Sequence, residues 1–338
     1  MCISGDRDDA RMTSTRRMPI TRCYDLGPTR LAVAAGRDDL LEGFERFLGE
    51  RGGLDSGACT FSITIRTGGV EPVPDDAELL YSGPLQDEGD CSFARAGQRY
   101  FMSFPGEAQM VIDPVGRGAD IVISPDSPRR ASGSLVPIAV EYALDLEDQQ
   151  VVHAAGLALP GERGMVLVSA PSGTGKTTTA LALARCGLRF AADDVMVLRR
   201  ERDGIVAWGL PRALNVHRDT AAMMPWLALP PEWNRLGEQS VPRRSLAPAV
   251  VLEDRELPVA RLLLLQRGDR TAIEPLGATE MLAALAADNV RYSTAGLTPL
   301  QDRRFGMLAD LARQVPAWRL TLPEGLEGVG MIATHLGE

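Results

Sequence analysis

The sequence predicts an α/β protein in two parts. A smaller β-rich α+β domain spans residues 21–132, and a larger α/β domain built round a sheet spans 133–338. Three observations predict this. Residues 21–132 hold short strand-like runs separated by Gly, Pro and Asp. Beyond 133, strand-like and helical stretches alternate. Between them, SPDSPRRASGS (124–134) is rich in Ser, Pro and Gly and is the expected linker.

The elements follow in order. Residues 1–20 carry charges but no apolar centre of roughly 7–15 residues, so a secretory leader is not expected. They read as a disordered tail, with Met12 and Met18 as alternative starts. Asp38 to Leu48 reads as one amphipathic helix with Leu40, Leu41, Phe44, Phe47 and Leu48 on one face. Thr60 to Arg66 alternates polar and apolar as a half-buried strand does. Arg99 to Met102, Gln109 to Ile112 and Asp120 to Ile123 are further strands.

In the second part, Leu135 to Leu146 is a helix, and Val151 to Leu159 and Met165 to Ser169 are strands. A Gly-rich loop follows, then a helix from Lys176 to Cys186 closed by Gly187. Val195 to Arg200 and Ile205 to Gly209 flank an Asp-Gly pair, a hairpin signal. Residues 229–258 are polar with several prolines and read as a long surface loop. Val259 to Gln266 is a buried strand, Thr279 to Ala287 and Pro299 to Gln314 are helices, and Trp318 to Leu322 is the last strand.

Composition narrows the function. The chain has 338 residues, 36 Lys+Arg against 45 Asp+Glu, and a net charge of −9. A dedicated nucleic-acid binder usually shows a basic excess, so nucleic acid is not an expected partner. No run approaches the roughly 18 apolar residues of a membrane helix, so no membrane is expected either. The cysteines Cys2, Cys23, Cys59, Cys91 and Cys186 are odd in number and none is spaced C-x-x-C. Inert thiols in a reduced cytoplasm are the expectation. His217 and His335 match no motif.

One lysine, Lys176, stands among thirty-five arginines. Arginine serves for most surface cations, but its planar fork does not replace a compact ammonium where one is required. That lysine lies in Ala170-Pro171-Ser172-Gly173-Thr174-Gly175-Lys176-Thr177, which has Walker A spacing with Ala in place of the first Gly. Glycines let backbone N–H groups turn inward round a triphosphate, and the following helix points its positive end at the same anion. Ser172, Gly173, Thr174, Gly175, Lys176, Thr177 and Thr178 are the expected nucleotide-binding residues. Lys176 can reach the β- and γ-phosphates and Thr177 can ligate Mg²⁺.

Asp193 and Asp194 close the strand-like LRFAA run, with Asp194 eighteen residues beyond the lysine. One can hold the Mg²⁺ of a nucleotide, and the other can orient an attacking hydroxyl and accept its proton. Adjacent strand residues point to opposite faces, and spacing alone leaves open which takes which role.

The run SAPSGTGKTTTALALARCGLRFAADDVMVL (169–198) resembles the catalytic domain of HPr kinase/phosphorylase. It is closer still to the HPr-kinase-related proteins that include lasso-peptide-tailoring kinases. The resemblance covers roughly 150–210. It implies a P-loop kinase domain of HPr kinase / phosphoenolpyruvate carboxykinase type, with ATP and Mg²⁺ as cofactors. It also implies self-association. Residue by residue, it makes Lys176 and Thr177 holders of phosphate and metal, Asp194 the proton acceptor, Asp193 a neighbour of the metal, and His153 an auxiliary catalytic residue. The segment Ala207-Trp208-Gly209-Leu210-Pro211-Arg212 departs from the family pattern by lacking a glutamate.

The expectation is therefore a kinase that phosphorylates a hydroxyl of a small protein, a peptide or a small metabolite. The first domain would select or present that acceptor. The alternative is a nucleotide-binding regulatory protein with little transfer activity. Arg212, Arg243, Arg244 and Arg291 are the arginines proposed to neutralise the transferring phosphoryl group.

Overall fold

A computed structural model describes residues 19–49, 59–70, 72–85, 89–128, 130, 133, 135–227, 229, 231–253, 255–290 and 299–338. Cys2, Met12, Met18 and Arg291 lie outside them, as do residues 1–18 of the expected tail.

The first part is an eight-stranded mixed sheet. Its strands are β1 (Ile20–Leu26), β2 (Thr29–Ala35), β3 (Phe61–Thr67), β4 (Glu78–Leu85), β5 (Gly89–Ala96), β6 (Arg99–Phe104), β7 (Ala108–Asp113) and β8 (Gly118–Ile123). Their spatial order is β1-β2-β3-β8-β7-β6-β5-β4. β3 lies parallel to both β2 and β8, and the remaining pairs are antiparallel. β1, β2, β4 and β5 were not among the sequence expectations. In β1 and β5 charges interrupt the apolar residues, as with Arg22 and Asp25 or Asp90 and Arg95, and in β4 Gly83 and Pro84 do so, whereas β2 does carry a short apolar run, LAVAA (31–35).

The helix expected over 38–48 is two pieces. A 3₁₀ turn, Asp38–Leu40, precedes α1 (Glu42–Leu48). Leu41 N–H donates to the Asp38 carbonyl at 2.9 Å, the tight i to i+3 spacing common where a helix starts. The apolar face is as expected: Leu40, Leu41, Phe44 and Leu48 are buried, with Phe47 half-buried.

The second part begins with α2 (Leu135–Asp145), which packs on the first sheet. A nine-stranded sheet then forms from β9 (Gln149–Val152), β10 (Ala155–Ala158), β11 (Met165–Ser169), β12 (Arg189–Ala192), β13 (Met196–Glu201), β14 (Gly204–Gly209), β17 (Leu257–Arg267), β18 (Ala272–Leu276) and β19 (Ala317–Leu322). β15 (Leu214–His217) and β16 (Glu238–Val241) make a separate two-stranded ribbon, so the stretch expected to be all loop contains a strand.

β17 organises the larger sheet. It runs parallel to β11 on one side. On the other it pairs antiparallel with β14 at its start and parallel with β19 at its end. β11, β17 and β19 therefore bring their carboxyl ends to one edge. Helices cover both faces: α3 (Lys176–Arg185) and α7 (Val329–Gly337) on one, α5 (Ala278–Asn289) and α6 (Pro299–Gln314) on the other. Val166 and Val168 face the first pair, while Met165 and Leu167 face the second. Burial on both sides is why MVLVS reads as continuous apolar sequence rather than alternation.

The two sheets share packing. Val195, Val197, Trp208 and Leu210 of the larger sheet and its margin belong to the same apolar cluster as Leu26, Leu31 and Ile63 of the first. A buried polar bridge crosses the same contact: Gln149 Nε2 donates to the Leu26 carbonyl and to Thr29 Oγ1, each at 2.9 Å. Its Oε1 accepts from Trp208 Nε1 at 3.3 Å.

Candidate functional site

The Gly-rich loop leaves β11 after Ser169 and enters α3 at Lys176. Gly173 and Gly175 have φ of 79° and 97°, a left-handed backbone that most side chains resist. Gly175 is the N-cap of α3 and offers no side-chain oxygen, so no side chain caps the first N–H groups. Uncapped N–H groups at the positive end of a ten-residue helix form an anion site. At its other end, the Gly187 N–H bonds the Ala184 carbonyl and the Leu188 N–H bonds the Leu183 carbonyl, the paired closure expected from a glycine there.

The strand expected over 151–159 breaks at His153 and Ala154. β9 pairs with β13, whereas β10 pairs with β11 and β12, so the chain steps between two halves of the sheet there. The step turns the His153 ring toward Lys176. Lys176 Nζ lies 2.8 Å from Asp194 Oδ1 and 2.5 Å from His153 Nε2. His153 Nε2 also lies 3.2 Å from Asp194 Oδ1.

One ring nitrogen cannot both accept from an ammonium and donate to a carboxylate. With Lys176 charged, Nε2 accepts from it, the imidazole proton sits on Nδ1, and the Nε2–Asp194 approach is a contact rather than a hydrogen bond. Burial alone would raise the Asp194 carboxyl, but the contacts with His153 and Lys176 outweigh it and hold the group well below the usual carboxylate range. By the proton count, the Lys176 charge and hydrogen bond carry that depression.

Asp193 is different. It is buried, and burial, with the neighbouring Asp194 charge added, pushes its carboxyl above the usual range. Thr177 Oγ1 donates to Asp193 Oδ2 at 2.6 Å. Asp193 Oδ1 has no hydrogen-bond partner among the described residues. An orphaned buried carboxylate oxygen beside a threonine hydroxyl is a hard-oxygen set that fits Mg²⁺. That ion needs only one or two carboxylates because substrate phosphates and waters supply its remaining ligands. Among the described residues no cluster of three or more His, Cys, Asp or Glu offers a complete protein cage. Asp194 has φ of 62°, and the reversal there sends consecutive carboxylates to different partners.

No protein-family model matches the sequence, and no curated protein matches it. Among solved structures, the chain is similar to the Hpr(Ser) kinase/phosphatase from Coxiella burnetii. The identity is 13% and the TM-score 0.29, over 55% of this chain and 93% of that one.

The other expected residues fall into place unevenly. Ser172 and Gly173 are exposed on the loop, and Thr174 is half-buried. The Thr178 hydroxyl points away from the cradle. It is buried and hydrogen-bonded at 2.7 Å to Thr220 of α4 (Arg218–Met223), leaving only the Thr178 backbone for a phosphate. Arg243 Nη1 donates to the Ala191 carbonyl at 2.8 Å, two residues before Asp193. Arg212 lies over the Phe47 ring at 5.7 Å. Arg244 is exposed. His217 caps α4 and His335 lies in the last turn of α7.

Two residues near the site were not anticipated. Asn289, last in α5, accepts from the His153 backbone N–H at 2.7 Å and so pins the strand break. Arg267, last in β17, stands where a Cβ on Gly175 would be. Nothing local in sequence marks either one. Arg267 was findable only through topology, as the final residue of a parallel strand beside the loop strand.

Among the described residues, Cys23, Cys59 and Cys186 are free thiols. Among the described residues, no helix is long and apolar enough to cross a membrane.

Proposed function

We propose that this chain is a phosphotransferase that binds ATP with Mg²⁺ at the 170–178 loop and passes the γ-phosphoryl group to a hydroxyl. The observation that carries the reading is the convergence of the solitary lysine, the aspartate it pairs with and a buried, half-unpartnered aspartate at the head of one uncapped helix.

Each residue has a task. The loop N–H groups and Lys176 hold the phosphate tail, and Lys176 exchanges its Asp194 partner for phosphate oxygens as the nucleotide enters. Asp194, released, accepts a hydrogen bond from the acceptor hydroxyl and takes its proton late, because the transition state is loose. A carboxylate freed from its ammonium partner is a better base than the paired one and is still ionised at neutral pH, so it is ready to accept. Thr177 and the free oxygen of Asp193 would hold the metal. Mg²⁺, when bound, neutralises charge building on the β- and γ-phosphate oxygens. His153, pinned by Asn289, keeps the Lys176 ammonium aimed at the loop.

The first sheet supports an acceptor-selecting role for that part of the chain. Leu210 N–H bonds the Val195 carbonyl at 3.3 Å, next to Asp194. The strap that follows passes under α1, where Gly49 abuts the Pro211 carbonyl so closely that a side chain would collide. An acceptor approaching Asp194 from that side would meet both parts of the molecule. A small protein, a peptide serine and a small alcohol all suit an aspartate base.

Purified protein with γ-labelled ATP and Mg²⁺, offered serine peptides and small polyols, tests the reading. Label should move to an acceptor, and Lys176→Ala should stop it. Undiminished transfer by Lys176→Ala would rule the mechanism out.

A further inference from the structure

Arg267 ends β17, and β17 is the parallel neighbour of β11, the strand that delivers the Gly-rich loop. Ligands of open α/β sheets bind beyond the carboxyl ends of such strands. The guanidinium is anchored there: Nη1 donates to the Pro323 carbonyl at 2.7 Å, just past the carboxyl end of β19. Its Nη2 is turned to Gly175, close enough that a Cβ on that glycine would collide with it. A guanidinium has five N–H donors, and the carbonyl takes one.

The electrostatics are unbalanced. The positive end of α3, Lys176 and Arg267 gather at one place. Asp194 neutralises Lys176, but among the described residues no carboxylate pairs with Arg267. A cation anchored against a helix N-terminus is unfavourable unless an anion joins them. The side chain is nonetheless exposed and held in position, which suits a polyphosphate arriving from solvent.

Resting on the phosphotransferase reading above, we propose that Arg267 contacts the terminal phosphate of the bound nucleotide and so separates triphosphate from diphosphate. This is the part for which the sequence offered Arg212, Arg243, Arg244 and Arg291 as candidates. The planar fork engages two phosphate oxygens, while Lys176 acts as a point charge deeper in the loop.

The test measures binding of ADP and of the non-hydrolysable β,γ-imido analogue of ATP, both with Mg²⁺, by calorimetry. Wild type, Arg267→Ala and Arg267→Lys are compared. Wild type should prefer the triphosphate analogue. Arg267→Ala should lower that preference on the order of tenfold, the size of one charge-assisted hydrogen bond, with ADP affinity kept. Arg267→Lys, which keeps the charge and the strand end, should fall between and guards against misfolding of the alanine variant. An unchanged preference in Arg267→Ala overturns the assignment. So does equal weakening of both ligands, the mark of a purely structural role, or a wild type with no preference. If wild type binds neither nucleotide, the phosphotransferase reading itself falls and takes this inference with it.

Discussion

Lys176 Nζ and Asp194 Oδ1 form an ion pair at 2.8 Å in which the lysine is buried and the carboxylate is partly open to solvent. The pair joins the head of α3 to the carboxyl end of β12. It also leaves the lysine with a partner that a phosphate can replace. Lys176→Ala should weaken MgATP binding on the order of a hundredfold, the upper end for hydrogen bonds between charged groups, because the lysine sits in a sheltered site. Lys176→Arg should weaken it as well, because a fork does not fit a position built for a compact ammonium. Calorimetric titration with MgATP reads both. Near-normal affinity in Lys176→Arg would show that any cation suffices.

Asp194→Asn separates binding from transfer. Asp194 sits at φ 62°, a region asparagine tolerates better than most residues, so the variant should fold. It keeps a hydrogen-bond acceptor but cannot take a proton. Transfer should drop about 10²–10⁴-fold, the usual worth of a positioned general base, while MgATP binding persists. Phosphoryl transfer at the wild-type rate would remove Asp194 from the chemistry. Asp194→Ala should in addition lose on the order of 1 kcal/mol of stability from backbone strain.

Part of this site was legible before the structure. MVLVS, the glycines and the lone lysine gave strand, loop and helix because each depends on local chemistry: two-sided burial, left-handed backbone, and a helix of alanine and leucine. The Asp-Asp step was equally visible. The break at His153 was not, since VVHAAGLAL is one apolar run and only partner strands divide it. Arg267 was hidden among thirty-five arginines, and its position has meaning only once β11, β17 and β19 are aligned. α7 was missed for another reason. VGMIATHLG carries two glycines and little intrinsic helix preference, and it becomes helical by burying Ile332 and Leu336 in the cluster it shares with α3.

Thr178 and Thr220 offer a test of what holds α3 in place. Their hydroxyls bond at 2.7 Å with both residues buried. Thr178→Val leaves the Thr220 hydroxyl without its partner and should cost about 1–3 kcal/mol, and the reverse variant should behave alike. The double variant replaces both hydroxyls with methyls of the same shape and should recover most of that loss. Urea unfolding of the four proteins gives the coupling. Strict additivity would mean that the pair contributes nothing beyond its packing.

The last prediction concerns the clamp between α2 and α6. Arg304 Nη1 bonds Glu141 at 2.7 Å and Nη2 bonds Asp145 at 2.9 Å, with Asp145 buried and its Oδ1 unpartnered among the described residues. One guanidinium faces two carboxylates, so a negative charge is left over in a poorly solvated place. Burial first, with Glu141 adding, lifts Asp145 to about 6 although Arg304 pulls the other way. An unfolded aspartate titrates near 3.9. Between about pH 4 and pH 6 the folded chain therefore holds a proton that the unfolded chain has released, and stability falls as pH rises through that window. The full excursion is at most about 3 kcal/mol. Asp145→Asn abolishes the titration, so the variant should gain on wild type as pH goes from 4 to 6 and stay level above. Arg304→Met strands both carboxylates and should cost about 3–5 kcal/mol at pH 7.5, and less at pH 4.5 where they can protonate. Thermal unfolding of the three proteins across that range decides it: parallel curves for wild type and Asp145→Asn would mean that Arg304 keeps Asp145 ionised throughout.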